Sequence, residues 1–424
     1  MPGRYSSHMN RREFLSSSAV ASLAVQTPPV RIGVIGAGNR GNSLLRGLIS
    51  IDGVQINALC DPNPAALDRA ATAAAAHKPD LYSQGDNDYK RLLGRDDLDA
   101  VVIAAPWAWH ATMAVEAMKS GKAVACEVPI AQTVEECWQL VDTNLKTKVP
   151  CMMLENWSFR RDNLAVLNMI RAGLLGDMVH CHCAHSHDCI DHWFFDKQGN
   201  DRWPARYLAE RDCDQYPTHS LGPILSWLDI NCGDAFATIA STSTSQRGIN
   251  AYFARQFGPE HPNAKRRFAQ GDIVTSTIKT RLGRTVVVNY DMQLPRPYDN
   301  RWMAQGTLGL YDEDKQSVYL TGRSPKYHEW EPFAPYQSKY DHKWWTEMTA
   351  DGNTSHGGTD GLELSKFVEA VRAKTPLPID IYDSIVMSAV IELSARSIKL
   401  GGAPVEFPDF TRGAWKTRKP YFAL

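Results

Sequence analysis

From Val30 onward, short continuous apolar runs alternate with stretches whose apolar residues recur at helical spacing. Val30–Ile35 reads as a buried strand, and Leu44, Leu45, Leu48 and Ile49 then repeat on one helical face. Val54–Cys60 predicts a second strand, and the Ala-rich stretch from Pro64 to His77 a helix with Pro64 in its first turn. Ala100–Ala104, Ala123–Cys126 and Cys151–Leu154 predict further strands, separated by helices over Ala111–Met118 and Val134–Leu145. Strands that are apolar along their whole length, each followed by an amphipathic helix, pack as a parallel sheet covered on both faces. After Glu155 the rhythm changes. Leu164–Ala172 predicts a helix closed by Gly173, and Met178–His187, Ala237–Ser245, Asp272–Arg281, Arg284–Gln293 and Leu308–Tyr311 predict strands, with Gly283 turning one hairpin. Leu362–Arg372 and Ser384–Lys399 predict late helices beside this sheet or back on the first one. The predicted class is α/β: an N-terminal doubly wound parallel sheet over 30–155, then an α+β domain over 156–424 with a mostly antiparallel open sheet.

Residues 1–29 carry no such rhythm. Arg11-Arg12 precede Phe14-Leu15 and a mild apolar run from Ala19 to Val25, which resembles a twin-arginine export signal. That reading predicts export in folded form to the periplasm; with a chance arginine pair in a plain tail, the cytoplasm is the expectation instead. No later segment is apolar for the roughly 20 residues that a membrane helix needs. The net charge of −1 gives no basic field for nucleic acid or an anionic membrane. The nine cysteines show no framework spacing, so no obligatory disulfides are expected. Twelve Trp and fifteen Tyr are many, and rings on loops suit stacking on sugars as well as ordinary packing.

Gly36-Ala37-Gly38-Asn39-Arg40-Gly41 follows the first strand and opens the first helix. Glycines there permit a tight turn and close approach to a pyrophosphate, while the helix N-terminus supplies free N–H groups. Alone the motif is weak. Its strand–turn–helix context and Asp61, at the end of the second strand, strengthen it. A carboxylate in that place accepts from ribose hydroxyls and repels a 2′-phosphate, which favours NAD over NADP. Strand carboxyl ends line the ligand crevice in such a Rossmann sheet. Pro106, Trp107, Trp109, His110, Glu127, Glu155 and Asn156 should therefore border the cofactor, with Trp107 and Trp109 walling the nicotinamide or simply packing.

These landmarks resemble the Gfo/Idh/MocA family of NAD-dependent sugar and cyclitol oxidoreductases. The hallmark Glu-Lys-Pro of that family is here Glu127-Val128-Pro129, without the lysine. Pro106-Trp107-Ala108-Trp109-His110, Glu155-Asn156, Tyr216-Pro217-Thr218-His219, Pro295-Arg296-Pro297-Tyr298 and His356-Gly357-Gly358-Thr359-Asp360 look like the narrower branch of NAD-dependent glycosidases in glycoside hydrolase family 109, typified by α-N-acetylgalactosaminidases. The resemblance runs from about Arg31 to the C-terminus. It departs at Pro204, where the family has an arginine after the tryptophan matching Trp203, at Phe159, often Tyr, and over Asp188–Arg202.

The resemblance implies a redox-neutral hydrolysis: transient oxidation at the sugar's C3, elimination of the aglycone, addition of water and re-reduction. It implies NAD as cofactor, a sugar or glycan-terminal substrate such as α-linked N-acetylgalactosamine or a related hexose, and a homo-oligomer formed through the C-terminal sheet. His219, Tyr216 and Tyr298 become the catalytic candidates, since histidine exchanges protons near neutrality and a phenol can donate or, where the cofactor's positive ring depresses its pKa, abstract. Phe159, His187, Trp203 and Arg206 become substrate contacts. The alternatives are a sugar or cyclitol oxidoreductase that releases its product with NADH, and a non-catalytic sugar binder. The run from His180 to Cys189 invites a metal reading, with Cys181, Cys183, His185 and His187 sharing one strand face. A flat row does not offer a tetrahedron, so no metal is expected.

Overall fold

A computed structural model describes residues 28–348 and 356–424; the arginine pair and the apolar run after it lie outside the described residues. The chain begins with β1 (Val30–Ile35), α1 (Asn39–Ile49), β2 (Val54–Cys60), α2 (Pro64–Ala73), β3 (Asp80–Tyr82), α3 (Tyr89–Leu93), β4 (Ala100–Ile103), α4 (Trp107–Lys119), β5 (Ala123–Glu127), α5 (Val134–Thr147) and β6 (Cys151–Leu154). The six strands form one parallel sheet in the order β3-β2-β1-β4-β5-β6. The order reverses beside β1, which leaves a crevice at the carboxyl ends of β1 and β4. β4, β5 and β6 are buried at every residue, as their unbroken apolar sequences require when helices cover both faces. The predicted helix from Pro64 stops at Ala73, and Ala75–His77 tighten into a 3-10 turn. β3 and α3 were too short to leave a readable period.

The second half continues with α6 (Arg161–Arg171), β7 (Met178–Ser186), α7 (Ala205–Glu210), α8 (Thr218–Trp227), β8 (Phe236–Ser243), α9 (Gly248–Phe257), α10 (Pro262–Lys265), β9 (Ile273–Thr280), β10 (Thr285–Asp291), β11 (Met303–Gly306), β12 (Gly309–Asp312), β13 (Ser317–Leu320), β14 (Glu331–Pro332), α11 (Ala334–Lys339), α12 (Lys343–Thr346), α13 (Thr359–Ala373), α14 (Ile381–Lys399) and β15 (Val405–Glu406). Nine strands form an open sheet, ordered β14-β13-β12-β11-β7-β10-β9-β8-β15. Every pairing is antiparallel except β7 with β10, which run parallel because β8 and β9 are inserted between them in sequence. β9 alternates buried and exposed residues, the signature of a sheet covered on one face.

The two sheets share one apolar core. α14 is the element that joins them: its Ser384 Oγ accepts from Met153 N of β6 at 2.9 Å, and its Ser397 Oγ accepts from Ser241 N of β8 at 2.8 Å. All nine cysteines are free, and eight of them are buried as small apolar residues. No described helix is long and apolar enough to cross a membrane.

Candidate active site

A cavity of about 950 Å³ opens along the carboxyl ends of β1, β2, β4 and β5 and continues under the second sheet. Its inner end is built by the glycine motif. Gly36 has φ of +89°, and a Cβ there would lie 2.6 Å from the carbonyl carbon and oxygen of Ala104. A Cβ on Gly41 would lie 1.8 Å from Gly36 O, so that glycine closes the turn without itself lining the cavity. A Cβ on Gly38, by contrast, would meet no protein atom within 4 Å, which leaves the main chain open to a phosphate-sized group. Asp61 Oδ2 accepts from Ala37 N at 2.7 Å and Oδ1 accepts from Asn63 N at 2.8 Å. These two bonds fix the carboxylate at the cavity edge while each oxygen keeps a lone pair for a ribose hydroxyl. The residues present therefore fit NAD.

Asn39, Arg40, Pro106, Trp107, Trp109, His110, Glu127 and Asn156 line the same cavity. His110 lines it with both ring nitrogens turned to carbonyls, Pro129 O at 2.8 Å and Ala105 O at 2.7 Å, which braces the β5 loop. Trp107 is buried against Trp193, Trp203, Tyr207 and Tyr216 and forms one wall. Arg40 leaves the glycine turn to pair with Glu127 and with Asp360 of α13, the latter at 2.6 Å. Asp360 also accepts from Asn156 Nδ2 at 2.7 Å and pairs with His356 at 3.0 Å. Asn156 Oδ1 is buried without a protein partner and borders the cavity, as a ligand-binding acceptor would.

His219 sits in the first turn of α8, 2.7 Å from Glu155 Oε1 through its Nδ1. Glu155 is fully buried and also accepts from Trp157 N, Ser158 N and Ser158 Oγ, the last at 2.6 Å. Four donors converge on two oxygens, so the carboxylate accepts from Nδ1–H and leaves Nε2 as the bare ring nitrogen. The carboxylate fits only because residue 222 of α8 is glycine: a Cβ there would lie 1.8 Å from Glu155 Oε2. Around His219, the rings of Tyr216 and His185 lie 5.0 and 5.4 Å away, and Tyr298 packs 5.5 Å from His185. Burial pushes the phenols of Tyr216 and Tyr298 up and holds His185 well below the ordinary imidazole value. In the protein alone, burial thus favours the neutral phenol, a hydrogen-bond donor.

His187 and Trp203 line the cavity as expected, together with His192, Trp193 and Arg202. Two residues expected against the substrate lie elsewhere. Phe159 is fully buried, stacked on Trp344 at 5.8 Å, because the Asn156–Phe159 turn points it into the core. Arg206 lies over the Tyr207 ring at 4.6 Å and donates to its hydroxyl, outside the cavity; Arg202 occupies the rim instead. The predicted Cys/His row is also divided. Cys181 and Cys183 are sealed in the core, His185 faces the cavity, and His187 lies beyond the end of β7. Glu155 as the partner of His219, and Asp360 as the partner of Arg40, are pairings that span 64 and 320 positions and leave no local sequence period.

Residues 159–417 match the family model described as the C-terminal domain of glycosyl hydrolase 109, and residues 30–155 match the oxidoreductase family with an NAD-binding Rossmann fold. A glycosyl hydrolase family 109 protein of Stenotrophomonas maltophilia is 41% identical over 98% of this chain and 98% of its own. An α-N-acetylgalactosaminidase of Tannerella forsythia is 40% identical over 93% of this chain and 89% of its own. In fold, the chain is similar to a myo-inositol dehydrogenase of Lactobacillus casei solved with NAD(H) and myo-inositol, at a TM-score of 0.63 and 16% identity over 90% of this chain and 99% of that one. An NAD-binding oxidoreductase of Klebsiella pneumoniae gives 0.67 and 17% over 90% and 99%. With a cradle for the dinucleotide, the His219–Glu155 pair and family matches over both sheets, the chain belongs to glycosyl hydrolase family 109 and is a glycosidase that uses NAD.

Proposed function

We propose that this protein hydrolyses an α-linked N-acetylgalactosaminide, or a related hexoside, by transient oxidation at C3 of the sugar, elimination of the aglycone, addition of water and re-reduction. The carrying observation is a histidine base, oriented by a buried carboxylate, in one cavity with the glycine cradle. The substrate class rests on the likeness to the Tannerella forsythia enzyme. NAD⁺ supplies a hydride acceptor there and, once reduced, the donor that restores the sugar. His219 Nε2 takes the proton of the reacting hydroxyl, and Glu155 steadies the imidazolium that forms. Tyr216 and Tyr298, whose neutral form burial favours, donate to sugar oxygens and hold the ring against the wall formed by Trp107. In the elimination one of these phenols gives its proton to the departing aglycone oxygen, and the C2 proton, acidified by the C3 ketone, passes back to that phenolate. The paired carboxylates of an oxocarbenium mechanism are not needed on this route. Val128 stands where a lysine marks the family's dehydrogenases, which leaves His219 as the proton acceptor.

The test is a panel of p-nitrophenyl glycosides given to the purified protein without added NAD. The expected result is nitrophenol release with no growth of NADH absorbance, abolished in His219→Ala while NAD still copurifies. Accumulating NADH with free sugars would instead make the protein a dehydrogenase, and full activity in His219→Ala would remove that residue from the chemistry.

A further inference from the structure

β7 ends at Ser186, and the chain after it does not continue as extended strand. Asp188 Oδ1 accepts from Ile190 N at 3.3 Å, and Ile190–Phe194 form a single π-helical turn. Trp193 N and Phe194 N both donate to Cys189 O, at 3.1 and 3.2 Å. The wide turn carries His192 back over His187, with ring centroids 5.2 Å apart. Cys189 lies between them in sequence, its Sγ 3.3 Å from His187 Nδ1. One donor atom from each of the three residues lies within 4.8 Å of the others.

We propose that His187, Cys189 and His192 bind one zinc-class divalent cation on the wall of the substrate cavity. Tetrahedral zinc with bonds of about 2.3 Å to sulfur and 2.0 Å to nitrogen holds its donors roughly 3.3–3.6 Å apart. The His187–Cys189 pair already has that spacing. His192, whose side chain is about half exposed, closes the remaining gap by a side-chain rotation. The ligand set is a thiolate and two imidazoles, which suits zinc and its neighbours and not magnesium or calcium. Asp191 Oδ1 lies 3.3 Å from His192 Nδ1, the kind of carboxylate–imidazole pairing that orients a metal-bound ring. The spacing 187, 189, 192 is that of a turn, which the flat row of β7 could not provide, and of that row only His187 takes part. All three residues line the cavity, so a fourth coordination position opens to water or to a sugar hydroxyl. A thiol–imidazole hydrogen bond without an ion is the competing arrangement.

The test reads metal binding itself and so stands apart from any glycosidase assay. The full-length untagged protein is stripped with chelator and titrated with Zn²⁺ by calorimetry, with Co²⁺ as the optical probe. One cation per chain is expected, with thiolate-to-cobalt charge-transfer absorption and strong tetrahedral ligand-field bands. His192→Ala, a change at an exposed side chain, should weaken Zn²⁺ binding by about tenfold or more, and Cys189→Ser should remove the charge-transfer absorption. Circular dichroism checks that both variants fold. Absence of saturable Zn²⁺ binding, or binding and spectra unchanged in both variants, would overturn the proposal.

Discussion

Four donors facing the two oxygens of Glu155 leave that side chain one job, which is to accept; the proton of His219 is therefore fixed on Nδ1 and the reactive lone pair on Nε2. Glu155→Gln would present an amide to those donors and unsettle the tautomer. We expect a loss in kcat of about 100-fold or more with NAD still bound, measured by nitrophenol release and the absorbance of the copurified nucleotide. Asp214, two residues before Tyr216, carries a different consequence. One oxygen accepts from Tyr216 N at 3.1 Å, the other has no partner, and burial raises the carboxyl to about 7. An unfolded aspartate titrates near about 3.9, so between roughly pH 4 and 7 the native state keeps a proton that the unfolded chain has released. This group's contribution to stability falls as pH rises through that window and is level above it. Asp214→Asn removes the slope, so its Tm relative to the parent should climb by several degrees from pH 5 to pH 8, an effect of about 1–4 kcal/mol. A constant Tm difference across that range would show that Asp214 titrates normally.

At the scale of elements, two glycines do unrelated work that alanine would reveal separately. Gly41→Ala drives a Cβ onto Gly36 O, a backbone atom that cannot yield without opening the turn between β1 and α1. Loss of copurified NAD and a destabilisation of about 2 kcal/mol or more are expected, read by nucleotide absorbance and thermal melting. Gly222→Ala drives a Cβ onto Glu155 Oε2 instead, displacing the partner of His219 while the cradle stays whole. There the expectation is bound NAD with activity reduced as in Glu155→Gln. Equal loss of NAD in both variants would contradict this division of labour. The motif containing Gly41 was readable because its spacing is local. Gly222 was not, because nothing in the run Thr218–Trp227 shows that a carboxylate from 67 positions upstream lies against it.

For the whole molecule, the Arg40 pairings tie the glycine turn to β5 and to α13, 320 positions away. Burial works against the charge on Asp360, yet His356 and Arg40 together hold its carboxyl well below the usual range. Arg40→Met would leave Glu127 and Asp360 close together without their cation, at a cost of about 3–5 kcal/mol. The expected outcome is a lower Tm and NAD that dialyses away; unchanged retention would show that the pairing does not support the cofactor cradle. The glycine turn with Asp61 and the strands β1, β2, β4 to β6, β7 to β10 and β12 were legible in the sequence alone, since each depends on apolar period or on neighbours a few residues apart; β3, β11 and β13 to β15, two to four residues long, were not. His219, Tyr216 and Tyr298 were visible only through their likeness to a family. What the tertiary structure alone decided was partnership: Glu155 with His219, Asp360 with Arg40, His192 turned back on His187, and Phe159 and Arg206 directed away from the cavity. Burial and long-range hydrogen bonding set these relations, and both come into being only when segments far apart in the chain are packed together.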